Sequence, residues 1–270
     1  MSSDPDATRL LAISAHLDDA ALSFGAGLAQ AAQDGVKVTV YTVFAGTAAA
    51  PYSPAAERMH SIWGFSPDQD APLQRRNEDI AALDHLGVGY RHGRFLDSIY
   101  RKRPDGRWLA DNVAGRQKLA ISKQSPQDDP ELFAAVRDDI KSVVDEYDPT
   151  LIVTCAAISS HIDNEIARDA ALIVAHDKGI PVRLWEDLPH ATFGRGAAEL
   201  PQGFRLGPPD FSSVKPTART RKFEALKLYP SQMLMLTGPD KDLFAQLDAH
   251  ARKNSPDGGY SETTWPVLRD

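Results

Sequence analysis

Two short stretches of the 270-residue chain set a histidine just ahead of carboxylates. They are Ser14 to Ala20, SAHLDDA, and Ser159 to Glu165, SSHIDNE. Imidazole and carboxylate side chains at this spacing suit a catalytic divalent ion. A hydrolytic zinc takes about three such protein ligands, keeps one position open for water and lowers that water's pKa to about 7. His16 and Asp19 can supply two ligands from one turn, and Asp18 between them, pointing elsewhere, is placed to accept the attacking water's proton as general base. His161, when protonated, would stabilise an oxyanion or protonate a leaving amine, with Asp163 orienting its ring. The ordinary alternative is that the aspartates cap helices by accepting orphan N–H bonds, which accounts for one aspartate but not for two beside a histidine.

Both stretches follow apolar runs that read as buried strands, Leu10–Ala15 and Leu151–Ala157, LIVTCAA. A helical pattern covers residues 19–33 and closes at Gly35, and Val36–Ala45 alternates β-branched residues as a second strand does. Further on, helices are expected over 73–86, 130–147 and 163–178, and strands over 90–96 and 182–185. Strands alternating with helices predict an α/β chain, a Rossmann-like doubly wound and mostly parallel sheet. We expect one domain over 1–270, its core at about 8–190 and a helical C-terminal extension at about 215–255. Ligands of such sheets sit beyond the carboxyl ends of the strands where strand order reverses. With the first and fourth strands as neighbours, the two histidine-bearing turns face one crevice. Gly46–Pro72 and Asp97–Asp129 exceed ordinary connection lengths and are expected to shape substrate choice, carrying Tyr52, Trp63, Phe65, Tyr100 and Trp108.

Composition excludes several classes. A formal charge of -7 with no Lys/Arg-rich block argues against a nucleic-acid partner. A lone cysteine, Cys155, allows no internal disulfide. No apolar run reaches the roughly 18 residues of a membrane span, so no membrane segment is expected and the cytoplasm is the expected location. GxGxxG is absent, so a dinucleotide site is disfavoured, and Gly25 and Gly27 are expected to serve close packing within the first helix.

The quoted motifs resemble the PIG-L or LmbE-like family of zinc-dependent de-N-acetylases. These act on N-acetylglucosaminyl phosphatidylinositol and related sugar conjugates. Ala15, His16, Leu17, Asp18 and Asp19 match the family's A-H-P-D-D with Leu in place of Pro. His161, Ile162 and Asp163 match H-x-D-H up to its last position, which is Asn164. RRNEDIAALDHLGV, from Arg75, resembles the helix bearing a substrate-contacting arginine, and FLDSIYR and WEDLP resemble stretches of bacterial members. The resemblance implies an LmbE-like fold and de-N-acetylation of an N-acyl amino sugar, in a small molecule or glycoconjugate. It makes His16, Asp19 and the residue at 164 the Zn2+ ligands, Asp18 the base, and His161 with Asp163 the transition-state pair. Arg75 and Tyr100 are then substrate-binding candidates.

Asn164 is the departure that matters most, since an amide oxygen is a weak zinc ligand better suited to harder cations. Three readings stay open: Asn164 binds through its oxygen or Glu165 swings in; the His-to-Asn change disables the chain; or the site is metal-free with another purpose. A metal-free repurposed enzyme and a non-catalytic binding protein are the competing functions. Taken alone, Arg75 is expected to be a solvated helix-start arginine pairing with Glu78 or Asp79. Tyr100 and Arg101 either line the pocket or decorate a loop, Cys155 is an inert core thiol, and Glu186 and Asp187 border the crevice or make a turn.

Overall fold

Leu10–Ser14, Val38–Thr42 and Ile152–Cys155 are buried along their whole length, as central strands covered on both faces must be. The computed structural model describes residues 8–111, 120–121, 125–193, 199–211, 213–237, 242–256 and 258–270. Along the chain run β1 (Arg9–Ser14), α1 (Asp19–Gln33), β2 (Lys37–Thr42), α2 (Pro54–Ile62), α3 (Ala71–Leu86), β3 (Gly89–His92), β4 (Ala110–Asp111) and β5 (Ala120–Ile121). After these come α4 (Pro130–Tyr147), β6 (Leu151–Cys155), α5 (Ile162–Asp177), β7 (Val182–Trp185), β8 (Phe204–Leu206), α6 (Pro216–Leu226), α7 (Pro230–Leu236), α8 (Leu243–Lys253) and β9 (Thr264–Arg269).

Seven strands form one sheet in the order β3-β2-β1-β6-β7-β9-β8, while β4 and β5 pair separately. The first five of these are parallel, and β9 runs antiparallel to both β7 and β8. β1 sits between β2 and β6, with Ile13 opposite Tyr41 on one side and Thr154 on the other. Strand order therefore reverses at β1 and β6, and the turns after them open into the same crevice. The domain is α/β with a mostly parallel sheet, as the strand and helix alternation predicts. Helices bury apolar faces on it; on α4 these are Val136, Ile140, Val143 and Val144, each worth about 1.5–3 kcal/mol when fully removed from water.

Two regions depart from the sequence expectation. Within Gly46–Pro72 lies α2, whose entry is set by Ser53, its hydroxyl accepting from Ala56 N–H, and by Pro54 in the first turn. Its Ala55, Ala56, Met59 and Trp63 form a small core with Ile99, Tyr100 and Ala110, apart from the main one. At the other end, α6, α7 and α8 occupy the expected helical range of about 215–255, and beyond it β9 joins the sheet, pairing Arg183 with Pro266. A proline argues against a strand in sequence, which is why β9 is hidden there.

Helix α1 is broken at Phe24 (φ -132°, ψ 20°). The break frees Ala26 and Gly27 N–H groups to donate to the Glu262 carboxylate at 3.3 and 2.7 Å. Lys222 closes on the same carboxylate at 2.5 Å. A Cβ at Gly25 would meet Lys222 Cγ at 3.1 Å, and one at Gly27 would strike the Phe24 ring at 2.4 Å, so both glycines serve packing.

Candidate active site

The cleft at the carboxyl ends of β1, β6 and β7 has a volume of about 1100 Å³ and is lined by His16, Asp18, Asp19, His161 and Asn164 among others. The two histidine-bearing turns meet here, their imidazole centroids 4.8 Å apart and edge to face. The first turn is shaped by Ser14, whose hydroxyl donates to His16 O (2.8 Å) and accepts from Ala20 N–H (3.2 Å), so the serine and not an aspartate satisfies a free helix donor. Asp18 makes no such cap bond and stands at φ 119°. A non-glycine residue in that region costs about 1–3 kcal/mol and persists only where surrounding contacts enforce it. Arg75 enforces it from α3, donating from Nη2 to Leu17 O at 2.8 Å and standing 3.6 Å from Asp18 Oδ1. Burial pushes the Asp18 carboxyl up to about 8, partly opposed by the Arg75 charge.

His16 is held at both ring nitrogens. Nδ1 faces Asp19 Oδ2 at 3.2 Å and Nε2 faces Asp163 Oδ2 at 3.1 Å. Asp163 is fully buried, with Oδ1 on Arg101 at 2.5 Å and Oδ2 also accepting from Ser98 N–H at 2.9 Å. Burial would raise its pKa, but Arg101 and the His16 hydrogen bond outweigh burial and hold it well below the carboxylate range. The expectation that Asp163 orients His161 through its carboxylate is therefore corrected. That carboxylate orients His16, and what His161 receives is the Asp163 backbone N–H, donated to its Nδ1 at 3.2 Å. With Nδ1 accepting, a neutral His161 ring carries its proton on Nε2. Burial and the charge of His16 push the His161 pKa below its ordinary 6.5, which favours the neutral ring over the imidazolium.

Among the described residues, His16, His161 and Asp163 form a group whose ligand atoms lie within 4.8 Å of one another. Both Asp163 oxygens are already bonded, Oδ1 to Arg101 and Oδ2 to Ser98 N–H and His16 Nε2, so its carboxylate fixes the orientation of the His16 ring. Among the cleft-lining residues, His16 Nδ1 (3.2 Å) and the Asn164 carboxamide Nδ2 (3.3 Å) both stand against Asp19 Oδ2. Two ligands about 2.0–2.1 Å from a tetrahedral ion stand about 3.4 Å apart, so these separations fit a shared cation. The carboxamide can present either end, and its oxygen end would serve. Glu165 lines the same wall, beside Arg168 and Asp169.

Arg75 departs from the solvated-arginine expectation. It is buried and stacks on Trp63 at 4.5 Å, because its expected partners are taken: Asp79 by His92 (2.8 Å) and Tyr229 (2.6 Å), Glu78 by Ser231. Tyr100 does not line the cleft. It is buried in the small core with its hydroxyl 2.7 Å from His60 Nε2. Both long segments reach the cleft, one through Met59 and Trp63, the other through Asp97, Ile99, Ser125, Pro126 and Gln127, while 112–119 and 122–124 lie outside the described residues. His190 also lines it, and Cys155 is a buried thiol whose pKa burial pushes well above 9.0.

Asp97 is the site residue that sequence reasoning missed. Its Oδ2 lies 4.0 Å from His16 Nε2 and 3.8 Å from Arg75 Nη1, and the only sequence signal is its place within FLDS. No helix among the described residues is long and apolar enough to cross a membrane.

Residues 11–175 match the family model PIG-L, GlcNAc-PI de-N-acetylase. Among solved structures, the zinc-inhibited form of teicoplanin deacetylase Orf2 is 67% identical with a TM-score of 0.94, over 97% of this chain and 99% of that one. The A40926 pseudoaglycone deacetylase Dbv21 is 57% identical with a TM-score of 0.85, over 98% of each chain. N,N'-diacetylchitobiose deacetylase from Pyrococcus horikoshii, 16% identical over 98% of this chain and 85% of that one, shares the fold at a TM-score of 0.55. No curated protein matches the chain.

Proposed function

The chain belongs to the PIG-L family of GlcNAc-PI de-N-acetylases and is an amide-hydrolysing deacetylase, and on that premise we propose that it removes the acyl group from an N-acyl amino sugar on a teicoplanin-like or A40926-like antimicrobial scaffold. The observation that carries this reading is the meeting of the His16–Asp18–Asp19 turn with His161 and Asn164 across one cleft, the two imidazoles 4.8 Å apart. The cleft's volume and the apolar Met59, Trp63, Met235 and Leu236 in its lining suit a scaffold larger than a single sugar.

We assign His16, Asp19 and Asn164 as the residues that hold a divalent ion, Zn2+ or a harder cation that accepts an amide oxygen more readily. When bound, the ion polarises the substrate carbonyl and acidifies water. Asp18 takes the proton of the attacking water, its raised pKa matching a base that works near neutrality. Water oxygen bonds to the amide carbon as His161 Nε2–H donates to the developing oxyanion, a type of contact worth about 10²–10³ in kcat. The carbon–nitrogen bond then breaks, Asp18 returns its proton to the departing amine, and the products are a carboxylate and the free amino sugar. Arg75 holds the Asp18 turn and borders the substrate.

The test is mass spectrometry of an N-acetylglucosaminyl pseudoaglycone incubated with the protein and zinc, manganese or cobalt in turn, with metal content read in parallel. We expect loss of the acetyl mass and gain of a primary amine with about one ion per chain. Turnover with no bound metal, or metal with no turnover on any N-acyl amino sugar, overturns the reading.

A further inference from the structure

His161 is reached through a loop that its own sequence does not favour. Between the end of β6 and the start of α5, Ala157 (φ 57°) and Ser160 (φ 54°) both stand in the left-handed region although neither is glycine. A residue with a Cβ adopts that conformation only against steric resistance, so something outside the loop must hold it. Three bonds do. Ala156 N–H donates to Trp185 O at 3.0 Å, continuing the β6–β7 ladder by one step. Arg168, buried and paired with Asp169 at 2.7 Å, donates from Nη1 to Ala156 O at 3.0 Å. Asp187, buried at the end of β7, accepts the Ile158 N–H on Oδ2 at 2.9 Å. Of the three, the Asp187 bond alone falls inside the left-handed stretch. The next residue, Leu188, donates its N–H to Ser23 Oγ of α1 at 3.1 Å, so the Asp187 turn is tied to the helix that begins with Asp19.

We propose that Asp187 is a positioning residue of the deacetylase site, whose acceptor oxygen fixes the Ala157–Ser160 loop and through it the His161 ring relative to the Asp18–Asp19 turn. The inference rests on the reading above that His161 acts on the reacting carbonyl. It requires an acceptor at position 187, not a charge. Asn keeps that acceptor and Ala removes it. A misplacement of about 1 Å costs about 10²-fold in rate, and a loop freed from its clamp exchanges its amides faster.

The experiment compares Asp187→Ala and Asp187→Asn in the full chain by steady-state kinetics and by hydrogen exchange over Ile158–His161. In Asp187→Ala we expect kcat to fall about 10–100-fold with KM within about threefold, and exchange at Ile158 to rise at least about tenfold. Asp187→Asn is expected to recover kcat and exchange to within about threefold of wild type. Unchanged exchange in Asp187→Ala overturns the proposal, as does an Asp187→Asn variant that folds normally yet loses kcat as far as the alanine. If Asp187→Ala does not fold, the asparagine arm decides alone: wild-type exchange and kcat support the clamp, and loss of either in a folded protein removes it. Absence of turnover in wild type would count against the proposed reaction, while the exchange readout still decides the role of Asp187.

Discussion

Two clusters of buried charge sit against the same helix, one at the start of α1 and one at its break, and of the two only the first opens on the cleft. At the break, Glu262 gives both oxygens to Ala26 and Gly27 N–H and to Lys222, whose side chain is 0% exposed. Every charge there is spent on closing a gap in the backbone. At the start, Ser14 takes over the capping work, which leaves Asp18 held at a left-handed φ with its carboxylate on the cleft. Buried charge alone therefore does not mark a site; what separates the two is strain retained beside an opening.

The largest effect that tests this contrast is expected from Asp18→Asn. Loss of the proton acceptor should lower kcat about 10³-fold, within the range of about 10²–10⁴ for general base catalysis. Melting temperature should hold or rise, because a neutral amide removes the burial that pushes this carboxyl up to about 8. A variant that melts early while keeping kcat would make Asp18 structural and erase the contrast. At the break the pattern inverts: Lys222→Met leaves Glu262 buried without its cation and should cost about 3–5 kcal/mol of stability, read by urea unfolding. Activity per folded molecule should be unchanged, and a loss in kcat at full folding would join the second cluster to the first.

This contrast was only half legible in the sequence. The strand ends and both histidine turns could be read because β1 and β6 are buried on both faces, so a polar residue at their ends stands out against an apolar run. Asp97 could not, and Arg101 stayed open between pocket and loop, since both come from an irregular segment whose place is set by tertiary contacts, Arg101 against Asp163 and Asp97 near His16. Arg75 read as a surface residue because its expected partners were within helical reach, and only the fold shows His92, Tyr229 and Ser231 taking them. The Lys222–Glu262 pair joins residues 40 apart in sequence and carries no local signal at all.

Asp187 sharpens the comparison through pH. Burial pushes its carboxyl from 3.8 to about 7, so the folded chain keeps a proton that the unfolded chain releases. For an acid with a raised pKa, stability is greatest below the unfolded value and is lost as pH rises toward the folded value. The slope over that window is up to about 1.4 kcal/mol per pH unit. Asp187→Asn cannot lose this proton. Its stability advantage over wild type should therefore be near zero at pH 4, grow up to pH 7 and level off above it, as measured by urea unfolding across pH. A gap that is flat with pH would mean that Asp187 stays ionised in the fold.

A smaller change is expected at the cleft's weakest donor. Asn164→His places a strong nitrogen ligand next to Asp19 Oδ2, and zinc affinity should rise about tenfold, measured by competition with a chelator. Unchanged affinity would remove Asn164 from the ligand set and leave the cation to His16, Asp19 and a neighbour such as Glu165.

The smallest effect belongs to Tyr100, which separates the small α2 core from the cleft wall that the same segment provides. Its hydroxyl meets buried His60 Nε2, so Tyr100→Phe leaves that nitrogen without its partner and should cost about 1–3 kcal/mol of stability. Ile99, one residue earlier, lines the cleft, whereas the Tyr100 ring turns into the Ala55, Met59 and Trp63 cluster. The substitution should leave KM and kcat within about twofold, because an internal hydrogen bond outside the reaction adds equally to ground and transition states. A tenfold rise in KM with stability unchanged would put the hydroxyl on the substrate, and the boundary between packing core and binding wall would have to move inward by one residue.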